Sequence, residues 1–137
     1  MIGHNPYQQY KKTQIDSASQ SKLIVMLYDG AIKFINLAIE AMATKSIEKV
    51  HINIIRAQDI IVELISSLNM EVGEISERLL SIYMYINKKL TEANIKKSKD
   101  QLYEVKKYLQ DLRDAWDQAS KTSNVTNENR GGVNIAT

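Results

Sequence analysis

No cysteine occurs among the 137 residues. That excludes a disulfide framework and thiol chemistry, and it fits a reducing cytosol. Proline appears once, at Pro6, and glycine five times. A chain this short of breakers, and this rich in Leu, Ile, Ala, Lys and Glu, favours helices over sheets. No apolar run approaches the ~20 residues that a membrane span needs. The opening stretch, Met1 to Lys12, is polar and lacks the apolar core of a signal peptide. A cytoplasmic protein with no membrane insertion is therefore expected. An excess of one charge is missing too: 18 Lys and Arg against 16 Asp and Glu leave a formal +2. That balance does not argue for nucleic acid or an anionic surface.

Hydrophobic residues make up 44% of the chain, ordinary for a folded globule, and the length suits one domain. Four stretches carry helical periodicity. The first, Ser19 to Met42, places Leu23, Leu27, Ala31, Phe34 and Ala38 on one face, with Ser19 as N-cap. The second, Ser46 to Leu68, repeats Val50, Ile54, Ala57, Ile61, Leu64 and Leu68. The third, Glu74 to Ile95, carries Ile75, Leu79, Ile82, Ile86, Leu90 and Ala93. The fourth, Lys99 to Ala119, carries Leu102, Val105, Leu109, Leu112, Trp116 and Ala119. Ser98 and Gln101 form a capping box at its start. Short connections make neighbours antiparallel. The expected fold is all-α: an up-down four-helix bundle over residues 17–120, an N-terminal arm or short helix over 1–16, and a disordered C-terminal tail over 121–137, rich in Ser, Thr, Asn and Gly.

The helices carry more apolar surface than one core stripe each. The second adds Ile47, Ile55, Val62 and Ile65; the third adds Leu80, Tyr83 and Met84; the first adds Ile24, Tyr28, Ile35 and Ile39. Such rows read either as wide core stripes or as an exposed groove suited to an amphipathic partner helix. Seven tyrosines against one phenylalanine suit surfaces that are alternately wet and covered. In the arm, Tyr7 and Tyr10 share a helical face and Ile15 follows, so the arm reads as a removable lid.

Catalytic chemistry is not supported. Glu48 and His51 have the i, i+3 spacing of a di-metal bundle site, but the other histidine, His4, lies in the arm and a second pair cannot be built. A di-metal bundle enzyme is thus the disfavoured alternative, and no metal or cofactor is expected. No phosphate-binding glycine loop and no G-x-S-x-G occurs. The lysine doublets at 88–89, 96–97 and 106–107 lack an aromatic platform for bases, so a nucleic-acid-binding bundle is a further, weaker alternative.

Several segments resemble a known family. Asn5-Pro6-Tyr7-Gln8-Gln9-Tyr10, then Ser17-Ala18-Ser19 and the run Leu23-Ile24-Val25-Met26-Leu27-Tyr28-Asp29-Gly30-Ala31, are similar to the opening of the flagellin-specific export chaperones, the FliS family. Ser81-Ile82-Tyr83-Met84-Tyr85-Ile86 with Leu90-Thr91-Glu92-Ala93-Asn94-Ile95 resembles its third helix, and Leu112-Arg113-Asp114-Ala115-Trp116 its last. The match runs in order from about residue 5 to 120. One departure is Gln20, where the family usually has proline after the serine that opens helix one. The resemblance implies a chaperone that holds the disordered C-terminal segment of flagellin in the cytosol, prevents premature polymerisation and presents the subunit to the type III flagellar export gate. It also implies an arm near Tyr7 that covers part of the binding surface, and it leaves room for a further regulatory protein.

Candidate switching residues are Tyr7, Tyr10 and Ile15. Candidate partner contacts are Tyr28, Ile55, Val62, Tyr83, Asn87 and Asn94. Asn94 stands beside an apolar row, where its amide would bond a partner's backbone. Trp116 reads as core.

Overall fold

The structure, a computed structural model, describes the backbone of residues 6–136 and the side chains of residues 20–121. Four α-helices follow one another: α1 (Pro6–Ala43), α2 (Ile47–Ser66), α3 (Glu74–Lys96) and α4 (Lys99–Ala136), with a single 3-10 turn at Met70–Val72 between α2 and α3. Among the described residues no strand occurs. The helix expected to start at Ser19 instead begins at Pro6. Proline suits a first helical position because its missing N–H would have no intrahelical partner there. Likewise α4, expected to end at Ala119 before a disordered tail, continues to Ala136; the side chains of Tyr7, Tyr10 and Ile15 in the expected arm lie outside the described ones.

Two compact units are distinguishable, one spanning Leu27–Arg113 and the other combining Met1–Met26 with Asp114–Thr137. The first holds parts of all four helices and the core of the bundle. That core is built from Tyr28, Ala31, Ile35 and Ala38 of α1; Val50, Ile54, Ala57, Ile61 and Leu64 of α2; Tyr83, Ile86, Leu90 and Ala93 of α3; and Leu102, Val105 and Leu109 of α4. In the second unit Ile24 and Val25 are buried, and Lys121 pairs with Asp117 at 3.1 Å.

The stripe of α2 follows the expected period as far as Leu64 and that of α4 as far as Leu109; beyond them Leu68, Leu112 and Trp116 are partly buried and Ala119 is exposed. In α1 and α3 part of the expected stripe is buried (Ala31 and Ala38; Ile86, Leu90 and Ala93), and elsewhere the buried position is shifted by one. Leu23 is exposed and Phe34 only partly buried, while Tyr28 and Ile35 are fully enclosed. Ile75 and Ile82 are exposed, while Ser76 and Tyr83 are buried. Bonding decides the phase of α3. The Ser76 hydroxyl donates to the Asn69 carbonyl at 2.6 Å, and the Tyr83 hydroxyl is hydrogen-bonded to that of Tyr28. Two polar side chains that satisfy each other's elements can be buried where an unbonded one could not. In α1, Gly30 allows close approach to α2: a Cβ there would sit 3.1 Å from the end of Ile60.

The connections are short and similarly closed. Lys45 and Lys97 take left-handed φ of 59° and 51°. Behind them the Ser46 amide donates to the Ala41 carbonyl at 2.9 Å, and the Ser98 amide to Ala93 at 3.0 Å. These are six-to-one bonds of the kind that end helices at glycine, with lysine in glycine's place. Only half of the expected capping box forms. The Gln101 amide N–H donates to Ser98 Oγ at 3.4 Å, but the Gln101 side chain turns away to donate to Glu92 at 3.1 Å.

Candidate interaction surface

Helix α3 borders α2 on one side and α4 on the other, and each seam carries apolar surface. Along the α2 seam, Asn94 Nδ2 donates to His51 Nδ1 at 2.8 Å, and Gln58 Nε2 donates to Thr91 Oγ1 at 2.8 Å and to the Asn87 carbonyl at 3.2 Å. Seven residues forward in α2 correspond to seven back in α3, so the helices are antiparallel and Ile65 falls level with Leu80. Lys97 Nζ donates to Asn94 Oδ1. Because an ammonium only donates, that contact fixes the amide's orientation and makes His51 Nδ1 the acceptor. Beside these bonds lie exposed apolar side chains: Ile47, Ile55 and Val62 on α2, and Met84 on α3.

Two of the expected contacts sit differently from the rest. Tyr28 and Tyr83 are 0% and 1% exposed, so neither belongs to the surface of this conformation. Their rings stack tilted, 6.4 Å apart, and each hydroxyl finds its partner inside the core, which is how a tyrosine tolerates full burial. Burial pushes the Tyr83 phenol up, and the bond from Tyr28 partly offsets that. Ile55 and Val62 are exposed, as their row suggested. Asn87 and Asn94 are partly buried. Both ends of the Asn94 amide are engaged within the chain, whereas Asn87 Oδ1 is covered and has no hydrogen-bond partner among the described residues. His51 is held by Asn94 rather than by Glu48.

The α4 seam holds a groove of about 530 Å3 lined by Ser81, Ile82, Tyr85, Tyr108, Asp111 and Leu112. Its floor is an edge-to-face aromatic pair, Tyr85 and Tyr108, with centroids 6.0 Å apart and planes at 63°. Lys107 holds the Asp111 carboxylate at 3.0 Å, which leaves the groove itself almost wholly apolar. Sequence reasoning assigned Ile82 and Leu112 to the core and passed over Tyr85 and Tyr108. The available signal was the phase of α3: once Tyr83 and Ile86 face inward, Ile82 and Tyr85 share the neighbouring face.

A polar cluster continues the same seam toward the α3–α4 turn. Lys89 Nζ lies 5.7 Å from the Tyr85 ring, 3.7 Å from Glu104 and 3.8 Å from Glu92. Burial pulls the Lys89 ammonium down, but Glu104, Tyr85 and Glu92 outweigh it and its pKa is raised. Glu104 is also the main reason the Tyr108 phenol is raised, with burial adding to it.

The described side chains do not bring together three metal-ligating groups, and none of the described helices is long and apolar enough to cross a membrane. What the arrangement offers is surface: a four-helix scaffold with apolar seams on both sides of one helix, the design of a protein-binding bundle. The FliS family profile, described as "Flagellar protein FliS", matches residues 3–123, and the chain belongs to that family. It is 38% identical over 133 residues to the flagellar secretion chaperone FliS of Bacillus subtilis, covering 97% of this chain and 99% of that one. With the protein of the same description from Vibrio cholerae it shares 34% over 116 residues, 81% of this chain and 85% of the relative. With that from Campylobacter jejuni it shares 32% over 111 residues, 80% and 87% respectively.

Proposed function

We propose that this chain binds the disordered C-terminal segment of flagellin in the cytosol, keeps the subunit from polymerising early, and hands it to the type III flagellar export gate. Membership of a family whose relatives are named flagellar secretion chaperones supports the reading. The observation that carries it is the pair of apolar seams flanking α3. Ordering even ~20 residues of a disordered client costs about 20–40 kcal/mol of backbone entropy. At roughly 25 cal/mol per Å2, offsetting that takes on the order of 800–1,600 Å2 of apolar burial. One groove is too small for that, so the client covers both seams. The work is done by surface complementarity and involves no covalent step.

Within this reading Ile55, Val62 and Asn87 remain contacts on the α2 side. Ile82, Tyr85, Tyr108 and Leu112 join them on the α4 side. Tyr28 and Tyr83 act instead as the internal brace beneath. Asn94 first has to release His51 or Lys97 before its amide can serve a client. The arm with Tyr7, Tyr10 and Ile15 covers part of this surface when flagellin is absent, a role supported by the ring spacing and the family resemblance. A further regulatory protein would compete for the same seams.

Light scattering of purified flagellin from the same organism tests the proposal. Equimolar chain should suppress seeded polymerisation, and flagellin lacking its C-terminal segment should no longer be retained by the chain. Unaltered polymerisation at excess chain, with the bundle shown folded by circular dichroism, would remove the flagellin assignment. Deleting residues 1–16 should tighten binding; unchanged affinity would remove the lid.

A further inference from the structure

His51 and Asn94 join α2 to α3 through an amide that is held at both ends. The Asn94 N–H2 donates to His51 Nδ1 at 2.8 Å, and Lys97 Nζ donates to Asn94 Oδ1. Lys97 is the left-handed residue that closes α3, with a φ of 51°, so the turn fixes its backbone. His51 is exposed, and Asn94 and Lys97 are partly buried. One turn either side of His51 on α2 stand Ile47 and Ile55, both exposed. The bonded trio therefore lies within the apolar row of the α2–α3 seam.

Each bond runs in one direction only. An ammonium donates and never accepts, so the amide presents its oxygen to Lys97 and its nitrogen to His51. A histidine Nδ1 accepts only in the neutral imidazole with its proton on Nε2; the protonated ring donates from both nitrogens. A lone asparagine would answer protonation by turning its amide over and offering its oxygen. Here that turn sets the N–H2 against the Lys97 ammonium, donor against donor. An oxygen shared by both donors would instead draw two cations together. Protonation of His51 therefore breaks its bond to Asn94. The charged groups that face the imidazole are Lys97, through Asn94, from the turn after α3, and Glu48, one turn back, from its own helix. Among the described residues the bond to Asn94 is its one polar contact.

We propose that His51, Asn94 and Lys97 form a proton-operated latch at this end of the α2–α3 seam. Neutral His51 keeps the latch closed. Protonated His51 opens it and releases the Asn94 N–H2 to a backbone carbonyl of the client, which covers Ile47 and Ile55 on either side. The inference rests on the client reading, because the surface it regulates is the one that reading assigns to the flagellin segment.

Nuclear magnetic resonance of the free full chain reads the latch without a client, between about pH 8 and about pH 5, the span in which imidazole ordinarily changes charge. The Overhauser contact between the Asn94 side-chain amide protons and the His51 ring should be present at the upper end and lost at the lower, in step with protonation of the ring. Calorimetric titration with the flagellin C-terminal segment from the same organism, at both ends of that range, reads the consequence. Acidification should tighten binding to the wild-type chain about threefold or more relative to His51→Gln, as one released hydrogen-bond donor allows. Glutamine offers a neutral acceptor at every pH, and at an exposed position it should leave the circular dichroism unchanged. An Asn94–His51 contact that persists on the protonated ring would overturn the latch whatever the client does. A lost contact with equal affinity ratios in wild type and His51→Gln would overturn its control of the seam. No binding by either form would overturn the client reading, and with it that control, separately from the result on the free chain.

Discussion

Changing Tyr28 to phenylalanine removes a single oxygen atom from the bundle's interior. Among the described residues Tyr28 and Tyr83 are the two largest fully enclosed side chains, and their hydroxyls bond to each other across α1 and α3. In Tyr28→Phe the ring stays and the packing volume barely changes, so no cavity term enters. The Tyr83 hydroxyl, however, keeps its place in the core and loses that bond. Stranding a buried polar group costs about 1–3 kcal/mol. For a chain of this size that lowers the melting temperature by roughly 3–10 °C. Adding Tyr83→Phe then removes the stranded group, and stability should rise again instead of falling further. Thermal and urea unfolding followed by circular dichroism would measure both steps. A Tyr28→Phe cost below about 0.5 kcal/mol, or a double variant less stable than the single one, would refute the claim that this bond secures the register of α1 against α3.

The same pair gives the bundle an alkaline limit. The unfolded chain releases the Tyr83 proton near the ordinary value of 10.0, and burial holds it to higher pH in the folded chain. The contribution of neutral Tyr83 is therefore whole below pH 10 and fades as pH rises through the folded value; ultraviolet titration of Tyr83→Phe against the parent should remove a tyrosine that ionises above the ordinary range. Lys45→Gly should stabilise the fold by roughly 0.5–1 kcal/mol, because glycine adopts the left-handed φ that lysine holds at a cost; a lowered urea midpoint would contradict this. Ile82→Ala should weaken client binding about tenfold while circular dichroism stays unchanged, since a groove-lining anchor is lost; full affinity would place the client elsewhere.

How far each helix was legible depends on how much its sequence discriminates between faces. In α2 the four-three alternation of Val50, Ile54, Ala57, Ile61 and Leu64 is unbroken, whereas the second row of Ile47, Ile55, Val62 and Ile65 is interrupted at His51 and Gln58. The buried residues are those of the unbroken row. In α4, Leu102, Val105 and Leu109 are equally unambiguous. Helices α1 and α3 carry two adjacent apolar stripes each; hydropathy picks Ala31, Ala38, Ile86, Leu90 and Ala93 correctly and misplaces the phase at the other levels. Ile75 and Ile82 outrank Ser76 and Tyr83 as apolar residues, yet the latter are buried because Asn69 and Tyr28 satisfy them. Those partners are distant in sequence, and no local pattern announces them.

The candidate surface divides in the same way. Ile55 and Val62 stand out because the core stripe of α2 is plain and they lie off it. Tyr85 and Tyr108 meet only when the antiparallel register of α3 and α4 brings positions 23 residues apart to a ring separation of 6.0 Å. That register is set by packing along the whole seam. The cluster of Lys89, Glu92, Gln101 and Glu104 has the same origin. From the sequence its members are ordinary solvated charges at helical spacing. In the fold Lys89 lies between Glu92 and Glu104, and Gln101 bonds Glu92.

The most direct test of the central claim is the heat-capacity change when the flagellin C-terminal segment binds, measured by calorimetric titration at several temperatures. Apolar burial of 800–1,600 Å2, at about 0.45 cal/mol/K per Å2, corresponds to roughly −0.4 to −0.7 kcal/mol/K. A saturable titration with a value in that range is the predicted result. Saturable binding with a heat-capacity change near zero would contradict the wrapping of both seams, and no heat from a folded chain would contradict the chaperone reading itself.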